Sequence, residues 1–175
     1  YGACRIAADA VAAMDANARN KPFLGYSDGG TLLAALYRAG VGRPVHAPMP
    51  TDIRREGGEV AVLRTLGWLA GERDGLEPSL GTTPTVAFNL MTLAMLIGTP
   101  LMPDLSGHVV MVEEVSEYLY AVDRLLFHVT HALAAQNIAG LCLGRISDVP
   151  ENDRPFGSDP QGMARHWCRS EEHTS

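Results

Sequence analysis

One short stretch of the sequence, residues 25–30 (GYSDGG), has the residue types that could support nucleophilic catalysis. It follows an apolar run at residues 22–24, typical of a strand, and precedes a helical pattern at residues 31–38. A sharp turn between a strand and a helix lifts a serine hydroxyl clear of the sheet, and it points N–H groups at a developing oxyanion. We expect the flanking glycines to be needed because a side chain would crowd the turn. The alternative is a glycine-rich turn in which Ser27 or Asp28 only caps the helix.

A pair of carboxylates forms the second candidate group. Glu113 and Glu114 directly follow residues 108–112 (HVVMV), which are predicted to form a buried strand. Chemistry in α/β folds is commonly presented at strand ends, so this pair is a candidate for a functional site. The alternative is that both glutamates are solvated loop residues.

A serine nucleophile needs a base, which is usually a histidine. His46 closes a short predicted strand near the serine, where it could line a binding pocket or simply be packed. His128 and His131 lie three residues apart on a predicted helix, but no carboxylate or cysteine completes a ligand set, so the sequence predicts no metal site. His108 and His166 have no evident partner. None of these histidines is a convincing base.

Composition and charge narrow the class of protein. The 175 residues are 46% hydrophobic and 19% charged, which is typical of a globular protein, and the net charge is −6. Without a cluster of lysines and arginines, the sequence argues against a nucleic-acid or anionic-membrane partner and favours a small molecule or a protein. The apolar runs are interrupted and far shorter than a membrane span. Three widely spaced cysteines fit neither a disulfide framework nor a zinc pattern.

Predicted helices and strands alternate along the chain, which indicates an α/β fold with parallel sheets. A polar stretch rich in glycine and proline at residues 71–83 is predicted to be a linker, and therefore a domain boundary. Helices are predicted at residues 5–17, 31–38, 60–69, 89–97, 122–133 and 161–168, and strands at residues 22–24, 45–47, 108–112 and 138–143. In the first and third helices, the side chains expected to face a core are Ile6, Ala10, Val11, Met14, Val60, Leu63, Leu66 and either Leu69 or Trp68. In the helix at residues 122–133 the apolar face is Val122, Leu125, Leu126, Val129 and Leu133.

Several motifs, taken in order, resemble the LD-carboxypeptidase family of serine peptidases, which includes the muramoyltetrapeptide carboxypeptidases and the microcin C immunity peptidases. Each motif alone is weak, but the ordered set is specific, and it extends from residue 1 to about residue 150. The set comprises YGACR at residues 1–5, KPFLGYSDGGTLL at 21–33, HAPM at 46–49, NL at 89–90, IGTPLMPDLSG at 97–107, VVMVEEVSE at 109–117 and LGRISD at 143–148.

The resemblance implies roles for individual residues. Ser27 corresponds to the nucleophile, and Asp28 would contribute a backbone N–H group to the oxyanion hole, with either Gly2 or the residue that precedes it in the family motif close by. Glu113 corresponds to the glutamate that orients the catalytic histidine. Ser27 and Glu113 are therefore expected to face a common cleft, with a histidine ring between them.

The resemblance also implies a domain organisation and an activity. Residues 1–72 would belong to an N-terminal α/β domain that carries the serine, and residues 83–168 to a smaller C-terminal α/β domain that carries the glutamate. The expected activity is cytoplasmic and needs no cofactor: removal of the C-terminal D-amino acid from an L-residue in murein tetrapeptide or a similar peptide, in peptidoglycan recycling. His46 and Asn89 are the expected substrate-binding residues. Whether the protein is a monomer or a homodimer is left open.

The family's catalytic histidine lies in a later segment rich in glycine and histidine, which this sequence does not reach. We therefore expect the chain to be an internal fragment, truncated in both domains and inactive by itself. Residues 169–175 (RSEEHTS) resemble the translation of a sequencing-library adapter, so a non-native tail is expected there.

Two other functions remain open. The Gly25-x-Ser27-x-Gly29 spacing also fits the elbow of an α/β-hydrolase esterase, although the sequence contains no HGGG-type oxyanion segment. Alternatively, the fold could serve as a non-catalytic peptide-binding or immunity module.

Overall fold

The computed structural model describes residues 2–72 and 80–170 of the chain. These residues divide into two compact units. Unit 1 takes the chain up to Thr82 together with Leu101–Pro103, and unit 2 takes Thr83–Pro100 and the residues from Asp104 onward. Most of the predicted linker and residues 171–175 of the predicted tail lie outside the described residues.

Unit 1 alternates helices and strands around a pair of parallel strands. Its regular elements are α1 (Ala3–Ala12), β1 (Pro22–Gly25), α2 (Gly30–Ala39), β2 (Arg43–His46) and α3 (Gly58–Leu69), with 3-10 turns at Ala16–Asn20, Ser27–Gly29 and Pro50–Arg54. Strands β1 and β2 pair in parallel from Pro22 beside Arg43 to Gly25 beside His46. The buried apolar side chains lie mainly on α2, at Leu33, Ala34, Ala35 and Leu36. Gly40 is the C-cap of α2, and its positive φ of 62° is a conformation that glycine adopts without strain.

One predicted core face in unit 1 is wrong, and another holds only in part. In α1, Ala10 and Val11 are half-buried, as is Met14 just after the helix, but Ile6 is 63% exposed and the fully buried residue is Ala7. The apolar residues of α3 are also exposed, with Val60 at 63% and Leu63, Leu66 and Leu69 all in the exposed class. The contact of α3 that the structure shows is with the 3-10 turn Pro50–Arg54, where Gly58 lies against the backbone of Asp52. Periodicity indicates which face of a helix is apolar, but it does not indicate what covers that face.

Unit 2 is built on a parallel sheet in which β4 is central. Its elements are β3 (Thr85–Asn89), α4 (Leu90–Leu96), β4 (Val109–Val115), α5 (Leu119–Ala134), β5 (Gly140–Ser147) and α6 (Pro160–Ser170). Within residues 80–170, the strand order is β3-β4-β5, and both pairings are parallel. The parallel strands of both units confirm the predicted α/β class.

The core of unit 2 follows the predicted spacing of α5. Val122, Leu126, Val129 and Leu133 are fully buried, as are Val110 and Val112 on the alternate positions of β4 and Leu90 and Leu93 of α4. Burying a side chain of this size contributes about 1.5–3 kcal/mol, so these residues make a large contribution to the stability of the unit. In the described part of the chain, no helix is both long and apolar enough to cross a membrane.

Three predicted bounds in unit 2 need correction. Strand β3 was not predicted, and Asn89 is the last residue of β3 and the N-cap of α4 rather than the first residue of a helix. Strand β4 runs from Val109 to Val115, so Glu113 and Glu114 lie within the strand instead of after it. Strand β5 begins two residues later than predicted and ends at Ser147.

The packing of α3 generates a stability prediction. A Cβ atom on Gly58 would overlap the backbone carbonyl of Asp52, whereas a Cβ on Gly140 would meet nothing within 4 Å. Gly58→Ala is therefore expected to lower the free energy of unfolding by about 1–3 kcal/mol. The control, Gly140→Ala, should change it by less than about 0.5 kcal/mol. Urea denaturation followed by circular dichroism measures both, and equal midpoints for the two variants would contradict the packing described.

Candidate active site

Ser27 lies on a strained elbow between β1 and α2. Tyr26 is extended, Ser27 has a positive φ of 53°, and the 3-10 turn Ser27–Gly29 runs directly into α2 at Gly30. A positive φ is uncommon for a residue other than glycine, and it persists only where contacts with the surrounding structure enforce it. The predicted strand–turn–helix geometry around Ser27 is confirmed.

The expectation that glycines are required beside this serine is wrong. A Cβ atom at Gly25 or at Gly29 would meet nothing within 4 Å, and neither residue has a positive φ. The unusual dihedral angle falls on Ser27 itself. Asp28 also contacts a distant residue, because its carboxylate Oδ2 accepts a hydrogen bond from the N–H of Ala3, at 2.9 Å.

Both neighbours of Ser27 are held by contacts distant in the sequence. The Tyr26 hydroxyl donates to Oδ1 of Asp52 at 2.9 Å, and this buried carboxylate also accepts from the Met49 N–H at 2.8 Å and from Nε of Arg55 at 3.2 Å. Burial, together with the hydrogen bond to Asp52, raises the pKa of Tyr26, so its hydroxyl stays protonated as a donor. On the other side, the bond from Ala3 to Asp28 fixes the turn.

Gly2 and His46 belong to the same region of unit 1. Gly2, with φ at 89°, precedes α1 and is bonded in sequence to Ala3, the donor to Asp28. His46 pairs with Gly25 at the ends of the parallel strands. Parallel strands present their carboxyl ends at one edge of the sheet. His46, the last residue of β2, and the turn that carries Ser27 directly after β1 therefore lie at the same edge. Burial lowers the pKa of His46, which favours its neutral form.

In unit 2, Asn89 and Glu113 occupy paired positions on β3 and β4. The Asn89 side chain donates through Nδ2 to Oε1 of Glu114, at 2.7 Å. Glu114 is buried and Glu113 is half-buried, so the alternative of two solvated loop glutamates is wrong. Burial and the neighbouring charge of Glu114 raise the pKa of Glu113 to about 6, against a smaller opposing effect of the nearby Asn89 amide.

A bulge in β5 accommodates Glu113. Val112 pairs with Leu143 and Glu114 pairs with Ile146, so two residues of β5, Gly144 and Arg145, lie opposite Glu113. A Cβ atom on Gly144 would lie 3.0 Å from the carbonyl oxygen of Val112 and 3.7 Å from the Cβ of Glu113. The missing side chain of Gly144 therefore allows the two strands to approach closely beside the glutamate.

The remaining described histidines lie in other surroundings. His108 contacts the Ser106 carbonyl through Nδ1, His131 contacts the Phe127 carbonyl, His128 is exposed, and the His166 ring lies edge-on to Trp167. Among the described residues, no group of three or more histidine, cysteine, aspartate or glutamate side chains could hold a metal ion.

Sequence reasoning missed one contact beside the candidate nucleophile. The pairing of Tyr26 with Asp52 spans 26 positions and leaves no local signal. The sequence allows Glu114 to be a solvated or a structural neighbour of Glu113, and the alternation of β4 places its side chain on the buried face with Val110 and Val112, which is the structural position.

Comparison with known proteins places the chain in a family. The family model for the LD-carboxypeptidase C-terminal domain matches residues 82–171, about half of the chain. A murein tetrapeptide carboxypeptidase of Pseudomonas aeruginosa is 25% identical over 155 residues, which is 76% of this chain and 48% of that protein. The chain spans about half the length of the curated relatives it matches.

Solved structures agree with this result. A muramoyltetrapeptide carboxypeptidase of Oxalobacter formigenes superposes with a TM-score of 0.66 at 25% identity, over 86% of this chain and 54% of that one. The microcin C7 self-immunity protein MccF superposes with a TM-score of 0.71 at 17% identity, over 92% of this chain and 60% of that one, and at that identity it shows the fold alone. The fold is thus that of an LD-carboxypeptidase. The chain belongs to the LD-carboxypeptidase family, which removes the basis for the esterase alternative.

The raised pKa of Glu113 generates a prediction about stability. Because the folded state holds this proton more tightly than the unfolded chain, whose ordinary pKa is 4.5, stability falls as the pH rises from 4.5 to about 6. The shift corresponds to about 2 kcal/mol, and partial exposure reduces the expected loss to about 1 kcal/mol.

Glu113→Gln should abolish that loss, so the variant should equal the natural chain near pH 4 and be more stable by about 1 kcal/mol above pH 6.5. Denaturation midpoints measured across this range test the expectation. Glu151→Gln, at an exposed position of the same unit, is the matched control. Parallel curves for the natural chain and Glu113→Gln would show that Glu113 does not carry the effect.

Proposed function

We propose that this sequence is part of a serine carboxypeptidase that removes the C-terminal D-amino acid from an L-residue in murein-derived peptides. The observation that carries the proposal is the elbow at Ser27, with its φ of 53° and both neighbours anchored. Membership in the LD-carboxypeptidase family supports the reaction class. We propose this activity for the full-length protein and not for the 175 residues alone, because the chain spans about half the length of its curated relatives.

In the proposed reaction, the Ser27 hydroxyl oxygen attacks the carbonyl carbon of the L-residue while its proton passes to a histidine. The peptide C–N bond then breaks, and the histidine returns the proton to the leaving amine of the D-amino acid. Water then hydrolyses the acyl-serine ester and releases the shortened peptide with Ser27 restored. This histidine is proposed to come from a part of the protein outside residues 1–175.

The backbone around the elbow suits the charge that develops in this reaction. Asp28 lies in the first turn of the helical segment that begins at Ser27, where N–H groups are not used by the helix itself. Such groups stabilise the oxyanion of a tetrahedral intermediate. We propose that Asp28 supplies one of these N–H groups and that Gly2 lies beside the same position. His46, at the same edge of the sheet, is proposed to contact the peptide.

Glu113 is proposed to accept a hydrogen bond from the catalytic histidine and to stabilise its protonated form. A half-buried carboxylate suits that task because an imidazolium beside it would restore the charge balance that burial disturbs. Its raised pKa, about 6 in this chain, is expected to fall when the cation is present.

Replacement of the nucleophile tests the proposal. In the complete gene product, Ser27→Ala is expected to lower kcat for D-alanine release from murein tetrapeptide by about 10³-fold to 10⁶-fold. Ser106→Ala, at an exposed serine of unit 2, should leave kcat unchanged. Mass spectrometry after treatment with a serine-directed reagent should locate the adduct on Ser27. Full activity of Ser27→Ala would refute the assignment, and absence of both activity and adduct would favour the non-catalytic peptide-binding or immunity module.

A separate prediction concerns the 175-residue chain itself. Because a serine hydroxyl is protonated at neutral pH and needs a base, the chain alone is expected to show less than about 10⁻³ of the turnover of the complete gene product. The same D-alanine assay with both proteins checks this. Comparable turnover would point to a base within residues 1–175, and His46→Ala would then be the first variant to examine.

A further inference from the structure

Asp52 is a buried carboxylate of unit 1 that takes no part in the proposed reaction. It lies in the 3-10 turn Pro50–Arg54 and is 7% exposed. Its Oδ1 accepts from the Tyr26 hydroxyl at 2.9 Å and lies 3.2 Å from Nε of Arg55, and its Oδ2 accepts from the Met49 N–H at 2.8 Å. Donors of this kind satisfy a buried carboxylate. Two of them flank its own turn, and the third, Tyr26, belongs to the elbow that carries Ser27.

The segment at residues 46–49 (HAPM) is attached to this elbow at two points. The N–H of the buried Ala47 donates to the Gly25 carbonyl at 3.0 Å, and Met49 bonds to the same Asp52 carboxylate that holds Tyr26. Gly25 and Tyr26 are the two residues directly before Ser27. The backbone that leads into Ser27 is therefore bonded, once through the main chain and once through a side chain, to the segment that follows β2.

Ser27 depends on such contacts because its own conformation is uncommon. Its φ of 53° lies in the left-handed region, which a residue other than glycine keeps only where the surrounding structure enforces it. A nucleophile has to be held within about 0.5 Å of its productive position by residues that are themselves locked by packing and hydrogen bonds. The bond from Tyr26 to Asp52 is a lock of this kind, one residue away from Ser27 in the sequence.

We propose that Tyr26 and Asp52 are positioning residues for Ser27: Asp52 fixes the Tyr26 hydroxyl, and Tyr26 passes this constraint through the backbone to the next residue. The catalytic meaning of the arrangement rests on the proposed function, in which Ser27 is the nucleophile. Arg55 supports the pair, since its Nε contacts Asp52 and its guanidinium carbon lies 6.0 Å from the centroid of the Tyr26 ring.

Two variants break this link at its two ends. Tyr26→Phe removes the hydroxyl and keeps the ring, so Asp52 keeps its contacts with Met49 and Arg55. Asp52→Ala removes the acceptor. Tyr120→Phe is the matched control, because it removes the hydroxyl of an exposed tyrosine on α5 of unit 2 and keeps the ring. Circular dichroism melts establish that each variant is folded.

The first readout is independent of catalysis: hydrogen exchange, followed by NMR in the 175-residue chain, measures opening at single amides. In Tyr26→Phe, the Ala47 amide should exchange about 10-fold faster or more, because its segment loses one of two attachments to the elbow. The Leu36 amide, inside α2, should keep its rate within about twofold. Tyr120→Phe should change neither rate. An unchanged Ala47 rate would overturn the proposal, and so would an equal rise at both amides, which would mean that the hydroxyl only stabilises the unit as a whole.

A double variant tests whether Tyr26 acts through Asp52. Because both single changes break the same bond, Tyr26→Phe combined with Asp52→Ala should exchange at Ala47 no faster than Asp52→Ala alone. Additive increases would show that the two residues act independently and would overturn the pairing. If Asp52→Ala fails to fold, the result for Tyr26→Phe decides.

The second readout uses the full-length protein. Positioning predicts that Tyr26→Phe lowers kcat for D-alanine release about 10-fold or more, with KM within about twofold of the natural protein. Tyr120→Phe should leave both constants unchanged. An unchanged kcat in Tyr26→Phe would overturn the proposal, and a raised KM beside it would make the hydroxyl a substrate contact. If the natural protein releases no D-alanine, the proposed function fails, whereas hydrogen exchange still decides whether Tyr26 and Asp52 hold the elbow.

Discussion

The Asn89 side chain joins a strand, a helix and a buried carboxylate of unit 2. Asn89 is at once the last residue of β3, the N-cap of α4 and the hydrogen-bond donor to Glu114 on β4. A helix cap contributes about 1 kcal/mol, and here the same amide also satisfies a carboxylate that is buried next to Glu113 in the sequence. The end of β3, the start of α4 and the position of Glu114 thus depend on one buried side chain.

In unit 1, the candidate nucleophile is held in place by contacts of its sequence neighbours, Tyr26 and Asp28, each of which bonds to a residue 25 or 26 positions away. Since a residue other than glycine at φ of 53° costs free energy, the elbow depends on these distant contacts to keep its shape. A site of this kind is rigid because it is attached to the first helix and to the turn at Asp52, and not because its own turn is locally favourable.

The sequence predicted the features that depend on local pattern. The apolar spacing of α5 and the strand–turn–helix around Ser27 follow from periodicity and turn residues, and both are present. Strand β3 was missed because residues 85–89 merge with α4 into one apolar run, in which length and periodicity do not separate strand from helix. The signal for the division was Asn89, a favoured N-cap residue directly before that helix. The core face of α3 and the anchors of Tyr26 depend on tertiary packing, which has no local pattern.

The electrostatics of Glu113 link stability to the proposed chemistry. A half-buried carboxylate beside a second carboxylate lowers the stability of the folded state at neutral pH, and a pair of neutral residues at the same place would remove that cost. Pairs of carboxylates that lower the stability of the fold are typical of functional sites, where the shifted pKa of one member serves the chemistry. Glu114 already has three hydrogen-bond donors, so its charge is satisfied inside the fold. Glu113 is the more exposed carboxylate of the two and is consequently the one that gains most from an approaching cation, which is the property that a histidine-orienting residue needs.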